Sequence, residues 1–235
     1  MPEPRANKNI LRPRHPPFFI TFISIFQLSA FVYYTLRSEQ RLTLFGPVPF
    51  QSKLIFNPYR RYEVWRYLTY MFIHAGYWHI AFNLLFQLAV GIPLEMVHKF
   101  NPIFIIYTGG IIAGALGNSI ADPHSYLAGA SSGCYALIAA HIANLLINWH
   151  EIRGAFCRLI TLLVFTGFDL GSAIYERHFK LDVSMAYKIS YGGHLAGALS
   201  GLLLGVVFLR NARVLHWEAE ARRWASVVYF GSLVS

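Results

Sequence analysis

Gly129-Ala130-Ser131-Ser132-Gly133-Cys134-Tyr135 stands immediately before a long apolar run, and the reading of this stretch decides the fold. It fits G-x-S-x-G, the turn that exposes a nucleophilic serine between a strand and a helix in soluble hydrolases, and Asp169 and His194 follow in the matching chain order. It fits equally well the start of a membrane helix, where serine caps and small residues let neighbouring helices approach closely. Composition separates the two.

The chain has 235 residues, of which 55% are hydrophobic and 13% charged. A soluble domain carries roughly a quarter charged residues. The mean hydropathy of +0.42 is that of a membrane protein. Apolar runs of about 20 residues fill its length, each able as a helix to cross ~30 Å of hydrocarbon. The predicted fold is therefore all-α, a polytopic membrane helical bundle without a separate soluble domain, and the strand that a soluble hydrolase requires has no place in it. A net charge of +9 would suit nucleic acid in a soluble protein, but here the basic residues lie between apolar runs, where they orient helices. No nucleic-acid partner is expected; membrane lipid is. Cys134 and Cys157 fall on different segments and indicate no disulfide framework, and no N-x-S/T acceptor occurs.

Residues 1–17, with Arg5, Lys8, Arg12 and Arg14, read as a flexible basic tail on the cytosolic side. Glu3, the prolines and the lack of an amphipathic period argue against a mitochondrial targeting segment. Residues 18–209 form the predicted membrane core. Its spans run from about Phe18 to Leu36, Trp78 to Val97, Asn101 to Ala121, Ser131 to Trp149, Ala155 to Asp169 and Ile189 to Leu209, with a polar loop between the fifth and sixth. Residues 210–235 read as a cytosolic segment followed, from Trp224, by the start of an incomplete seventh span.

Counted from a cytosolic tail, Lys99, Arg153, Arg158, Arg210, Arg213, Arg222 and Arg223 all fall inside, as the positive-inside rule asks. The connection from about Arg37 to Tyr70 breaks the rule. Its Arg37, Arg41, Lys53, Arg60, Arg61 and Arg66 land outside, which requires a structured element at the membrane interface.

The same count places Ser131 at the opening of the fourth span, His74 and His79 at the second, and His194 in the first turns of the sixth, all toward the external face. Polar groups inside a bilayer cost a few kcal/mol each, so several at one depth imply a wet, buried cavity. His79 and Asn83, four residues apart, share one helix face and suit oxyanion donors near Ser131. A packing role, with His and Asn hydrogen-bonded across helices, is the alternative for either residue alone. No metal is predicted, since His74 and His79 are five apart and no H-E-x-x-H occurs. An aspartyl mechanism fails because no two aspartates share a span site. Gly193, Gly197, Gly201 and Gly205 form a small ridge in the sixth span, and Ala136, Ala139, Ala140 and Ala143 offer a matching face in the fourth. If these pack, His194 meets Ser131, and Tyr135, one turn below the serine, lies against the imidazole. Asp122, Asp169 and Asp182 fall at span edges or in loops, which points to a Ser-His pair without a carboxylate.

These residues resemble a rhomboid intramembrane serine protease, most closely the secretase-type rhomboids of animals. The resemblance covers about Trp65 to Gly205 and rests on Trp65-Arg66, on His74, His79 and Asn83 as H-x4-H-x3-N, on G-A-S with Gly129, Gly133 and Tyr135, and on Gly193-His194 with Gly197 and Gly201. It implies a six-helix core, Ser131 as nucleophile, His194 as general base, and His79, Asn83 and the Ser131 amide as the oxyanion hole. Tyr135, His74, Gly129, Gly133, Gly197, Gly201, Trp65 and Arg66 would be supporting residues, and no cofactor is implied. The implied substrates are single-span membrane proteins cut near the outer end of the span, and the implied setting is the secretory pathway (Golgi, endosome or plasma membrane) rather than the mitochondrial inner membrane. A seventh helix is also a feature of the secretase type. Two positions depart from the family pattern: Ser132 replaces the glycine that usually follows the nucleophile, and Gly193 stands where alanine commonly precedes the histidine. Ser132 is thereby an alternative nucleophile, although the alignment of Gly129, Gly133 and Tyr135 favours Ser131. The rival readings are a non-catalytic rhomboid-like protein that binds membrane clients, a class that lacks the serine or histidine kept here, and a channel or transporter, for which no inverted repeat or acidic relay is present.

Overall fold

A computed structural model describes residues 7–179, 190–213 and 216–234. The apolar periods fold into α1 (Phe18–Arg37), a short α2 (Arg66–Thr69) continued by a 3-10 turn at Tyr70–Phe72, α3 (Gly76–His98), α4 (Phe100–Ala121), α5 (Ser131–Ile147), α6 (Ala155–Phe179), α7 (Tyr191–Phe208) and α8 (His216–Val234). Among the described residues there is no strand, and an isolated bridge joins Phe56 to Leu127. Helices α1, α3, α4 and α7 are each long and apolar enough to cross a membrane, while α5 and the Ala155–Phe168 part of α6 are shorter apolar helices. The chain is thus a polytopic helical bundle, in which the interior main-chain groups of a spanning helix bond within that helix, as hydrocarbon demands.

Helix α7 lies between α4 and α5, and small residues set how closely. A β-carbon on Gly197 would collide with the main chain of Ser132, one on Gly201 with that of Ala136, and one on Gly205 with Ala140 and Ala143. The glycine ridge and the alanine face therefore meet as the sequence suggests. Gly193 differs, because it turns toward the Gly114 carbonyl and so toward α4. Gly117 of α4 likewise packs on Gly192 and Ala196. With so little side chain between backbones, the axial positions of α5 and α7 are fixed by contact rather than by long, adjustable groups.

A second device joins α1, α3 and α4 where all three are dry. Gln27 donates to the Tyr107 hydroxyl at 2.8 Å, Tyr107 donates to Gln87 Oε1 at 2.6 Å, and Gln87 donates to Ser24 Oγ at 2.7 Å and Gln27 Oε1 at 3.0 Å. Gln27, Gln87 and Tyr107 are fully buried, so the network is tolerable only because its members satisfy one another. The Tyr107 ring lies on Gly133, directly behind the start of α5.

Three boundaries depart from the sequence reading. Helix α6 continues beyond Asp169 to Phe179; the rest of the expected polar loop, residues 180–189 with Asp182, lies outside the described residues. Helix α8 starts at His216 rather than Trp224, and its polar first turn is held by Asn211 donating to Glu218 at 2.6 Å. The basic tail is not free over its described part. Asn7 N–H donates to the Ala212 carbonyl at 2.8 Å, and the amides of Arg14 and His15 donate to the Met96 carbonyl at 2.9 and 3.1 Å. Met96 lies in the last turn of α3, where carbonyls lack helical partners, and the tail supplies donors for it. Residues 1–6, including Arg5, lie outside the described residues.

Candidate active site

The segment 122–130 delivers Ser131 to the first position of α5. Phe56 and Leu127 exchange main-chain hydrogen bonds at 3.1 and 3.2 Å, and Gly129 N–H donates to the Tyr70 carbonyl at 3.2 Å. Gly129 has φ +103°, and a β-carbon there would enter the His79 imidazole, so only glycine lets the chain pass over that ring. On α7, Ser190 caps the helix by accepting the Gly193 N–H at 2.9 Å, which fixes the first turn that carries His194. His194 Nε2 is 2.8 Å from Ser131 Oγ. The Tyr135 ring stacks on the imidazole with centroids 4.5 Å apart and 18° between planes. Among the described residues His194 Nδ1 has no hydrogen-bond partner.

Ser132 is turned the other way. It is 1% exposed, and a β-carbon on Gly114 would fall on its side chain and close to the Tyr70 hydroxyl. The replacement of glycine at this position therefore places a hydroxyl in the α4–α5 contact, not beside His194.

His79 and Asn83 lie on α3. His79 Nδ1 accepts the Ala75 N–H at 3.2 Å, so a neutral ring carries its proton on Nε2, the atom nearest Gly129. Asn83 Nδ2 donates one N–H to the His79 carbonyl at 2.7 Å, and a carboxamide has two such hydrogens. Asn83 shares with Ser131 a cavity whose walls are Phe82 and Phe86 of α3, Cys134 and Ile138 of α5, and Thr166 of α6. It offers about 20 Å³ to the centre of a water molecule, enough to hold one. Phe82 and Phe86 of this lining also face α6, Phe82 with Phe168 at 6.2 Å and Phe86 with Phe165 at 5.6 Å between ring centroids.

The remaining predicted residues surround this centre. His74 is 3% exposed and meets His79 edge to face at 5.1 Å. Arg66 is buried and donates from Nη1 to the carbonyls of Ser52 and Ile55 at 2.9 and 2.7 Å, while its Nε pairs with Glu63. That guanidinium holds the Glu63 carboxyl below its ordinary range, chiefly through the hydrogen bond. Trp65 Nε1 donates to the Lys53 carbonyl at 3.1 Å. Trp65 and Arg66 therefore fasten the connection between α1 and α2 rather than reach Ser131. Gly197 and Gly201 act through the α5–α7 approach, and Gly133 through Tyr107. Among the described residues no group of three or more His, Cys, Asp or Glu side chains could hold a metal ion.

Several contributors escaped the sequence reading. Ser190, three residues before Gly193, carried a legible capping signal. Glu95, whose carboxylate accepts the Phe19 and Ile20 N–H groups at 2.7 and 2.9 Å and so caps α1, carried none, because its partners are 76 and 75 residues away.

A serine and a histidine thus meet between the small faces of α5 and α7. The family model for the rhomboid domain matches residues 61–211. The chain is 37% identical over 220 residues to Inactive rhomboid-related protein 2 of Caenorhabditis elegans, which covers 94% of this chain and 62% of that protein. It is 38% identical over 211 residues to Rhomboid-related protein 2 of Mus musculus, with 87% and 69% covered, and 37% identical over 199 residues to Rhomboid-related protein 3 of Homo sapiens, with 83% and 49% covered. The chain thus spans about half to two thirds of the length of these relatives. It belongs to the rhomboid family.

Proposed function

We propose that this chain is an intramembrane serine endopeptidase that cuts single-span membrane proteins near the outer end of the span. The observation that carries the reading is the 2.8 Å contact between His194 Nε2 and Ser131 Oγ beside a cavity with room for water. His194 takes the Ser131 proton as the alkoxide attacks a peptide carbonyl, and the oxyanion is held by His79 Nε2, the second N–H of Asn83 and the Ser131 amide. The imidazolium returns its proton to the leaving amine, and water activated by the same histidine hydrolyses the acyl-enzyme. Tyr135 fixes the ring in place of a carboxylate. The substrate helix has to unwind locally to expose a carbonyl, and the aromatic pairs between α3 and α6 stand beside the cavity that would receive it.

In this reading residues 18–209 are the working core, the tail is cytosolic, Ser131 lies near the external face, and the protein resides in the secretory pathway. A second reading, a non-catalytic binder of membrane clients, has the name of one relative in its favour, an inactive rhomboid-related protein. The experiment that separates them offers purified chain a panel of single-span proteins and maps the products. Cleavage lost in Ser131→Ala supports the protease; binding without cleavage by the unaltered chain supports the client binder.

A further inference from the structure

The cations from Arg37 to Arg66 have no orienting task on the external side, and Arg66 alone among them is buried. Arg66 is buried, bonded to two carbonyls and to Glu63. Arg37, Arg41, Lys53, Arg60 and Arg61 are exposed. Within the connections 38–65 and 122–130 the carboxylates are Glu39, Glu63 and Asp122, and Glu63 is already held by Arg66, with Arg60 3.4 Å away.

The cations also sit where the site is built. Arg61 donates to the Pro123 carbonyl at 2.7 Å, on the segment that leads to Ser131, and Trp65 ties the Lys53 main chain to the Arg66 hub. On the other flank, Thr43 and Leu44, just after Arg41, accept the Tyr77 and Trp78 N–H groups at 3.2 and 3.0 Å, at the start of the helix that carries His79 and Asn83. A fixed scaffold thus arranges exposed positive charge on both sides of the Ser131 end of the bundle.

We infer that this collar docks an acidic stretch of the substrate polypeptide immediately outside its span, a selection rule that rests on the protease reading and topology proposed above. Anionic phospholipid is concentrated in the cytoplasmic leaflet, so a lipid surface does not supply the matching charge on the external side. A membrane substrate does: its external stem is tethered to the span being cut and passes the collar at high effective concentration. Rim charges of this kind act on capture and on partner choice, and they weaken with salt. The collar should therefore lower KM for acidic stems and leave kcat unchanged.

The test uses the full chain in nanodiscs of neutral phosphatidylcholine and one single-span substrate in two forms, with four glutamates or four glutamines in the external stem. The glutamate form should show a KM about five- to tenfold lower at low ionic strength, the size expected of a few exposed ion pairs, and the advantage should vanish in 0.5 M salt, at about a 4 Å screening length. It should also vanish in Lys53→Gln/Arg60→Gln/Arg61→Gln. Because Arg61 bonds the main chain, Arg41→Gln/Lys53→Gln, which removes no side-chain hydrogen bond or ion pair among the described residues, serves as the variant that keeps its fold. Binding of both stems to Ser131→Ala by energy transfer is measured in parallel, so a chain that cuts nothing still reports on docking. Equal KM and equal binding for the two stems would overturn the inference. So would a preference that survives both variants, or charge-dependent binding seen only with phosphatidylserine in the discs, which would assign the collar to lipid.

Discussion

The His194 imidazole lies flat on the Tyr135 ring, 4.5 Å between centroids, while its Nε2 reaches Ser131 on the same helix as Tyr135. Ser131 and Tyr135 are one turn apart on α5, so a single helix both presents the nucleophile and seats the base. Among the described residues nothing bonds Nδ1, which leaves the stacked ring as the element that orients the imidazole. Tyr135→Phe keeps the stacking face and should retain most activity. Tyr135→Ala should lower kcat about 10²-fold, the scale on which loss of alignment acts. The check is turnover on folded protein, with the melting temperature measured beside it.

The two adjacent serines should behave oppositely. Ser131→Ala should abolish turnover and labelling by a fluorophosphonate probe. Ser132→Gly restores the residue usual in the family, removes a hydroxyl that faces Gly114 and Tyr70, and should keep both. Labelling that persists in Ser131→Ala and disappears in Ser132→Ala would reassign the nucleophile.

What the sequence disclosed here followed from local pattern. Apolar runs bounded the spans to within about two residues at α1, α3 and α4, because length and hydropathy are properties of one segment. The meeting of Gly201 with Ala136 was legible since small residues at four-residue spacing have few other uses in a membrane helix. Contacts between distant segments were not legible. Glu95 in an apolar run gave no hint that it caps α1, and Gln27, Gln87 and Tyr107 each looked like an isolated polar intrusion until the fold brought them together. The start of α8 was misplaced for the same reason: its polar first turn is held by Asn211, a residue outside the helix.

Gly201 tests the packing that aligns the site. A β-carbon there would strike the Ala136 main chain, which cannot move without moving α5. Gly201→Ala should cost about 1–3 kcal/mol as overpacking, and Gly201→Val more. Activity should fall further than stability alone predicts, because the displaced helix carries Ser131. Gly171, with nothing within 4 Å of a built β-carbon, supplies the control: Gly171→Ala should leave both unchanged.

The Glu63–Arg66 pair makes stability depend on acid. The folded carboxyl titrates below its ordinary 4.5 because Arg66 donates to it, so its contribution is complete above that value and is lost as pH falls through the lowered folded value. Glu63→Gln lacks this proton uptake. Unaltered chain should melt above Glu63→Gln at neutral pH, and the gap should narrow once the pH is taken below 4.5. A gap constant with pH would mean that the pair holds the α1–α2 connection by shape alone.

Asn83 decides whether α3 belongs to the chemistry. One of its amide hydrogens is committed to the His79 carbonyl, and the side chain lines the same small cavity as Ser131. The oxyanion of a tetrahedral intermediate at Ser131 would need a donor from that cavity wall, and removal of one such donor typically lowers kcat by about 10²–10³. Asn83→Ala should show that loss with KM little changed, since the donor acts on charge that develops only after binding. Asn83→Asp keeps the shape and removes the donor, so it should be as inactive as alanine. A packing role predicts another pattern: Asn83→Asp active, Asn83→Ala unstable, and kcat falling only with the melting temperature. Turnover, KM and unfolding measured on both variants separate the two, and an active, stable Asn83→Ala would remove Asn83 from the mechanism altogether.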